Sequence, residues 1–341
     1  MAGEGSRDMK LIALILLSVG NAQNITNTRL LGDNDILNPR TLVGKFISTV
    51  VPTAIPLGAS AAIYVPPVRK DPPGHIQAAS IDEVRRNFIS AYMPFCPAEK
   101  IAGRDCICKE AYPHVEYIED KPTDTLVIVA VNEKFKQIVV SYKLTTSVQN
   151  WIDNFNFPMV DIAEMPRGTR LHRGFYSNFM ASYVRVQDSV GALLDDFRYK
   201  DYTLFITGYS LGGGLALVST PSWANLLRSR RDPRRIQVIA YSNPRVGNRA
   251  FADYLESLDI SITRYTNDND LVPHLPGRKQ GYVHAGVEVF GAERGRGHRL
   301  HQCSQNYDED PNCSLGTFAR KSPVGHAFPM GKFIPLPPYC I

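Results

Sequence analysis

A serine with a glycine two residues away on each side is the first candidate for chemistry in this chain. It lies in Gly208-Tyr209-Ser210-Leu211-Gly212, after an apolar stretch and before a stretch of helical composition. A serine on a tight turn between a strand and a helix projects its hydroxyl away from the sheet, while its neighbours at plus and minus two crowd together. Only very small residues fit at those two positions. The pattern therefore predicts Ser210 as an exposed nucleophile.

A serine hydroxyl attacks only when a base accepts its proton, so a histidine and an orienting carboxylate are expected as well. In hydrolases with this turn the chain order is serine, acid, histidine. Two aspartates, Asp268 and Asp270, follow the predicted strand 261–266, where the acid is expected. Their spacing does not choose between them, and either one could instead close a turn before Pro273.

Five histidines follow these aspartates. His274 is only four residues beyond the second aspartate, which constrains it too tightly to be the partner. His284 lies in a strand-like stretch that favours a buried structural role, and His298 and His301 lie in a charged stretch typical of a surface. His326 lies in a late loop between two cysteines, where a cross-link can fix the loop against the sheet. The spacing favours His326 as the base without excluding the others.

The elements that position these residues follow from the apolar periodicity. Short apolar stretches alternate with helical patterns, which predicts an α/β fold with a largely parallel sheet covered on both faces. Pro221 predicts a kink or an early end in the helix that follows the nucleophile. The predicted strands are 125–131, 137–142, 203–207, 236–241 and 261–266, and the predicted helices are 175–197, one from about 211, and 248–258.

The N-terminal region has the features of an export signal followed by a spacer. Two basic residues precede the apolar stretch 11–19, which is too short to span a bilayer. We therefore predict a signal peptide at 1–22 and a secreted, extracellular protein. Residues 23–78 are rich in proline and predict a propeptide or a Pro-rich tether, with a packed extension as the alternative. The catalytic domain is expected at 79–341.

Composition restricts the classes of partner. The chain has 341 residues, of which 44% are hydrophobic and 21% charged, and its formal net charge is +5. The arginine-rich segment 228–235 is either a solvated loop or a site attracted to an anionic lipid surface. No recognition motif accompanies it, so we expect no nucleic-acid partner. The pair Cys106 and Cys108 has no second ligand pair at zinc spacing, and we expect no metal, no organic cofactor, and a monomer without a stable protein partner.

From about Ala79 onwards the chain resembles the class 3 triacylglycerol lipases of the secreted fungal kind. The resemblance implies an α/β-hydrolase-type fold with a mixed, mostly parallel central sheet, helices on both faces and a helical lid. It also implies hydrolysis of triacylglycerol esters at a lipid–water interface. The matching stretches are TTSVQNWIDNFNF, LHRGFYSNF, TGYSLGGGLA, YSNPRVGNRAFADY, TNDNDLVPHLP and GYVHAGVEVF.

The resemblance also implies roles for individual residues. Ser210 matches the nucleophile, Asp270 the orienting acid and His326 the base. The oxyanion hole is formed by the backbone N–H groups of Leu211 and Thr145. The implied disulfides are Cys96–Cys340, Cys303–Cys313 and Cys106–Cys108, although one intervening residue would strain the last of them.

The segment 148–157 has the character of a lid. A short amphipathic helix covers the pocket in water and turns its apolar side chains to the oil at a lipid surface. An ordinary core helix is the alternative. The apolar side chains of this segment are Val148, Trp151, Ile152 and Phe155.

Two other functions remain compatible with the sequence. One is a feruloyl or short-chain carboxylesterase on the same scaffold, and the other is a catalytically silent lipid-binding relative. The second is supported by Lys143 and Leu144, which stand where the family usually has arginine and glycine beside the oxyanion residue.

Overall fold

The structure is a computed structural model that describes residues 77–96, 112–144, 158–294, 297–320, 325–326 and 330. These residues all belong to one unit, Pro66–Ile341. Several predictions fall outside them and stay predictions. They concern the signal peptide, nearly all of segment 23–78, Thr145, the lid 148–157, and the cysteines Cys106, Cys108 and Cys340.

Strands with alternating or continuous apolar residues build two sheets. A short antiparallel pair, β4 with β5, forms one of them. The large sheet has eight strands in the order β1-β2-β3-β6-β7-β8-β9-β10. The strands are β1 His114–Asp120, β2 Thr125–Asn132, β3 Gln137–Leu144, β4 Met159–Asp161, β5 Arg170–His172, β6 Thr203–Tyr209, β7 Ile236–Tyr241, β8 Ser261–Asn267, β9 Val287–Arg294 and β10 Gly297–Gln302.

The centre of the large sheet is parallel and buried. Strands β3, β6, β7, β8 and β9 pair in parallel in that order, whereas β1, β2 and β10 add antiparallel edges. Every residue of β7 and β8 is buried, so neither strand has a solvent-facing side. Strand β7 is apolar except for Gln237, whereas β8 also buries polar residues, among them Arg264. The prediction of a mixed, mostly parallel sheet is confirmed.

Helices cover both faces of this sheet. Successive residues of a strand point to opposite faces. On β3, Ile138 and Val140 accordingly pack in one core cluster with side chains of α3, α4 and α5, while Val139 packs in a second cluster with side chains of α1 and α2. The helices are α1 Ile81–Arg86, α2 Phe88–Tyr92, α3 Arg173–Asp195, α4 Leu211–Arg230 and α5 Arg249–Glu256.

Helix α4 continues through Pro221 to Arg230, so an early end at the proline is wrong. A proline inside a helix costs about 3 kcal/mol. All eleven residues from Leu211 to Pro221 are buried between the sheet and neighbouring helices. The tertiary packing of an almost wholly buried helix therefore outweighs the local penalty.

The arginine-rich segment 228–235 consists of the last three residues of α4 and the connection to β7. It is thus at the amino ends of the parallel strands, whereas Ser210 follows the carboxyl end of β6. Arg230 pairs with Asp195, and Arg234 pairs with Asp232 at 2.5 Å. The intramolecular pairs and the location both speak against a site for an anionic lipid surface, although the Arg234–Asp232 pair is largely buried and not solvated. No helix of the described part of the chain has both the length and the hydropathy to cross a bilayer.

Candidate active site

Ser210 lies on a sharp turn at the carboxyl end of β6, directly before the first residue of α4. Its backbone has φ 58° and ψ −124°, a conformation that non-glycine residues rarely adopt and that stores strain. The Ser210 N–H donates to the Tyr241 carbonyl at 2.8 Å, which holds the turn to the neighbouring strand. Ser210 is only 4% exposed, so its side chain is buried in this structure. The sequence had predicted an exposed nucleophile.

The two glycines that flank the serine are required by close backbone approach. A Cβ atom on Gly208 would lie 2.3 Å from the backbone carbon of Gly212. A Cβ atom on Gly212 would lie 1.9 Å from the carbonyl oxygen of Tyr142 on β3. Because both neighbours are backbone atoms, no side-chain movement can relieve these contacts. The first turn of α4 therefore packs directly on β3, with the free N–H groups of a helix N-terminus beside Ser210.

We expect Gly212→Ala to destabilise the fold by more than about 3 kcal/mol, because α4 would have to move away from β3. Gly191→Ala is the matched control: this glycine lies in α3, and an added Cβ would meet nothing within 4 Å. That variant should gain about 0.5–1 kcal/mol. The midpoints of urea unfolding measure both changes. Wild-type stability in the Gly212 variant would contradict the close approach.

Three side chains from distant parts of the chain form one hydrogen-bonded row. His326 Nε2 lies 2.8 Å from Ser210 Oγ, and His326 Nδ1 lies 2.9 Å from Asp270 Oδ2. Ser210, Asp270 and His326 are 4%, 0% and 9% exposed. When Nδ1–H donates to the carboxylate, Nε2 of the neutral ring is free to accept the hydroxyl proton. The row can thus withdraw the Ser210 proton and stabilise the resulting imidazolium.

The loop that carries the acid is fastened from two sides. Asp270 Oδ1 accepts a hydrogen bond from the Val272 N–H at 2.9 Å, which leaves Oδ2 for the histidine. Further along the loop, Arg245 Nη1 donates to the carbonyl oxygens of His274 at 2.5 Å and Pro276 at 2.7 Å. These bonds hold the segment after Asp270 and restrict the directions available to its carboxylate.

Arg245 is a buried cation whose charge is balanced by Glu309. Two hydrogen bonds of 2.7 and 2.5 Å join the guanidinium to the carboxylate, and both side chains are 2% exposed. Burial alone would raise the pKa of Glu309, but the Arg245 charge and hydrogen bonds hold that pKa well below its usual range. Sequence reasoning missed this pair. Arg245 lies in the segment SNPRVGN directly after β7, where nothing in the local pattern indicates a buried ion pair.

The remaining histidines have other roles. His284 is 3% exposed, its Nε2 lies 2.7 Å from the Pro273 carbonyl, and burial lowers its pKa well below the usual value. Its expected burial is confirmed. His298 and His301 lie on the edge strand β10 and are half-buried, so they are partly and not fully exposed at the surface. Strand pairing with β9 places the His301 ring against the Phe290 ring, with centroids 5.5 Å apart.

The structure contains the disulfide Cys303–Cys313. Cys96 is disulfide-bonded too, and its expected partner Cys340 lies outside the described residues. Within the described part of the chain, His301 and the sulfurs of Cys303 and Cys313 are the one group with metal-ligand atoms close together. Disulfide sulfurs are not the thiolates that metals require, so this group in its present state does not offer a metal site.

Comparison with known proteins identifies relatives of this chain. The model of the class 3 lipase family matches residues 139–280, a range that includes Ser210 and Asp270 but ends before His326. A lipase from Rhizomucor miehei is 35% identical over 193 residues, which are 54% of this chain and 51% of that protein. The secreted mono- and diacylglycerol lipase 1 from Fusarium solani is 32% identical over 162 residues, 48% of this chain and 46% of that protein.

The chain thus spans about half the length of the curated relatives it matches. Among solved structures, one triacylglycerol lipase is 26% identical with a TM-score of 0.64, covering 75% of this chain and 99% of that one. That structure is described as having a catalytic centre formed by a serine protease triad. The similarity extends to the whole solved domain and includes the α/β arrangement described above.

Proposed function

We propose that this protein, whose residues 139–280 match the class 3 lipase family, is a member of that family and a serine hydrolase that cleaves triacylglycerol esters at a lipid–water interface. The observation that carries the proposal is the hydrogen-bonded row of Ser210, His326 and Asp270 at the N-terminus of α4. The relatives named lipases support the choice of an ester substrate.

The first half of the reaction transfers the acyl group to the enzyme. His326 Nε2 accepts the proton of Ser210 Oγ as that oxygen attacks the ester carbonyl, and a tetrahedral intermediate forms. The imidazolium is stabilised by the Asp270 carboxylate. When the intermediate collapses, the bond to the glycerol oxygen breaks and His326 returns the proton to that oxygen. The products are a diacylglycerol and an acyl-enzyme.

The second half repeats these steps with water. His326 accepts a proton from a water molecule whose oxygen attacks the acyl carbon. The bond to Ser210 Oγ then breaks, the serine takes the proton from the imidazolium, and the fatty acid leaves. No group outside the described row and water is needed to balance these steps.

The negative oxygen of both intermediates needs donors that are already in place. The N–H of Leu211 is in the first turn of α4, where backbone N–H groups have no partner within the helix. We assign this group as one oxyanion donor and the N–H of Thr145 as the second. Removal of one such donor typically costs about 3–4 kcal/mol of transition-state stabilisation.

Interfacial action is supported by the covering of the site. Ser210, His326 and Asp270 are all less than 10% exposed, so a long-chain acylglycerol cannot reach them without a conformational change. We propose that segment 148–157 is the lid whose movement at a lipid surface opens the pocket. A carboxylesterase for soluble substrates would not require this step.

The test is the initial rate of tributyrin hydrolysis measured below and above its solubility limit. A steep increase above the limit is expected, and p-nitrophenyl acetate serves as the soluble ester in the same assay. Equal specific rates on the monomer and the emulsion would favour the carboxylesterase. Absence of hydrolysis, together with no labelling of Ser210 by a phosphonate ester, would favour the silent lipid-binding relative.

The N-terminal predictions enter the proposal as well. Relatives that are named secreted lipases and the disulfide Cys303–Cys313 support export to an oxidising compartment. We propose that 1–22 is removed as a signal and that 23–78 is a propeptide. N-terminal sequencing of the protein from culture medium tests both, because a start at residue 23 in the active form means that the second segment is retained.

A further inference from the structure

The base of the row, His326, is held by side chains that the mechanism does not use. The Tyr209 hydroxyl donates a hydrogen bond to the His326 carbonyl oxygen. The Tyr209 ring also lies against the imidazole, with centroids 5.0 Å apart and an interplanar angle of 28°. One tyrosine thus contacts both the backbone and the ring of the histidine.

A second contact holds the residue before it. Asn267 Nδ2 donates to the carbonyl oxygen of Gly325 at 3.0 Å. The orientation of this amide is set on its other side, because Asn267 Oδ1 accepts from the Tyr265 hydroxyl at 2.9 Å and lies 3.1 Å from His298 Nε2. The Tyr265 oxygen in turn accepts from the Met330 N–H at 2.8 Å. Asn267 therefore holds the loop at Gly325, before His326, and Tyr265 holds it at Met330, after His326.

Tyr209 and Asn267 lie at the same strand ends as the nucleophile and the acid, and Tyr265 lies two residues before Asn267 on β8. Tyr209 is the last residue of β6, next to Ser210, and Asn267 is the last residue of β8, three residues before Asp270. Tyr209, Asn267 and Tyr265 are 6%, 5% and 0% exposed, so their hydrogen bonds lie in a medium of low dielectric where they are strong. Burial raises the pKa of Tyr209 well above its usual value, which keeps its hydroxyl protonated as a donor.

We propose that Tyr209, Asn267 and Tyr265 are positioning residues that act as one clamp on the loop of His326. The clamp keeps the imidazole aligned between the nucleophile and the acid during both proton transfers. This inference rests on the proposed function, because it concerns the same base. It is distinct from the acid's role: Asp270 orients the ring through Nδ1, whereas the clamp fixes the backbone from which the ring extends.

The test is Tyr209→Phe, which keeps the ring against the imidazole and removes only the hydroxyl. A misplacement of a catalytic group by about 1 Å can lower the rate by about 10²-fold. We expect kcat to fall by about 10- to 100-fold with an unchanged KM. The pH profile of kcat/KM should also change, because a less well held His326 loses part of its contact with the Asp270 charge.

Tyr241→Phe is the matched control. Tyr241 is the register partner of Tyr209 on the neighbouring strand, and it is 0% exposed. Its hydroxyl also donates to a backbone carbonyl, that of Val84 at 2.7 Å, but on α1 and away from His326. We expect both variants to lower Tm by a similar amount and only Tyr209→Phe to lower kcat and shift the pH profile. Equal kinetic losses in both, or none in Tyr209→Phe, would overturn the clamp.

An independent readout separates the clamp from the proposed function. The Nδ1 proton that His326 shares with Asp270 gives a downfield proton NMR signal, whether or not any ester is hydrolysed. We expect this signal to broaden or move in Tyr209→Phe and in Asn267→Ala and to stay unchanged in Tyr241→Phe. If wild-type protein hydrolyses no ester, the proposed function fails. The clamp is refuted separately, if the NMR signal is unchanged in both Tyr209→Phe and Asn267→Ala.

Discussion

Replacement of Ser210 by alanine should lower kcat for ester hydrolysis by about 10⁵- to 10⁶-fold, the loss expected when the nucleophile of such a row is removed. In this variant His326 Nε2 would have no hydroxyl to deprotonate on that turn, because its contact of 2.8 Å is to the serine oxygen. Rates of emulsion hydrolysis by wild type and variant measure the effect. Activity within tenfold of wild type would mean that another residue is the nucleophile.

Ser210→Gly is the control that separates chemistry from folding. Glycine adopts φ near 58° without the strain that alanine and serine carry there. Both variants should be inactive, yet Ser210→Gly should be more stable than Ser210→Ala by about 1 kcal/mol. Urea unfolding of the two proteins gives this difference. A destabilised Ser210→Gly would contradict the backbone conformation of the turn.

Replacement of Asp270 by asparagine should lower kcat by about 10⁴-fold while leaving the fold in place. An amide can present an N–H to His326 Nδ1, which favours the ring tautomer whose Nε2 carries the proton and cannot accept one. It also removes the charge that stabilises the imidazolium. Steady-state rates over a range of pH measure the loss, with denaturation midpoints to establish that the variant is folded.

Asp268→Asn provides the matched control, because Asp268 is the acid that spacing alone would allow equally well. Asp268 is half-buried, and its backbone carbonyl accepts from the Thr317 hydroxyl at 2.7 Å. A contact through the backbone survives the substitution. We therefore expect activity within a few-fold of wild type. A large loss of activity in Asp268→Asn together with a small loss in Asp270→Asn would identify Asp268 as the acid instead of Asp270.

The sequence by itself determined the local part of this protein. Strand β6, the turn at Ser210 and the start of α4 are recognisable because they depend on near neighbours: an apolar strand, a helical pattern, and glycines at two positions where backbone atoms lie within 2.3 Å of a would-be Cβ. The parallel character of the sheet follows in the same way from apolar strands that alternate with helices. The resemblance to a family added the choice of Asp270.

Spacing favoured His326 and the resemblance implied it as the base, but only the tertiary structure brings its ring next to the serine. His326 is separated from Ser210 by 116 residues and from Asp270 by 56, and periodicity carries no information about contacts at such distances. For the same reason the proposed Tyr209–Asn267–Tyr265 clamp, the Arg245–Glu309 pair and the partial burial of His298 on β10 were not predicted. Helix α4 continues through Pro221 because burial on all sides outweighs a local penalty. Local patterns specify elements, whereas the pairing of their ends depends on how the whole core packs.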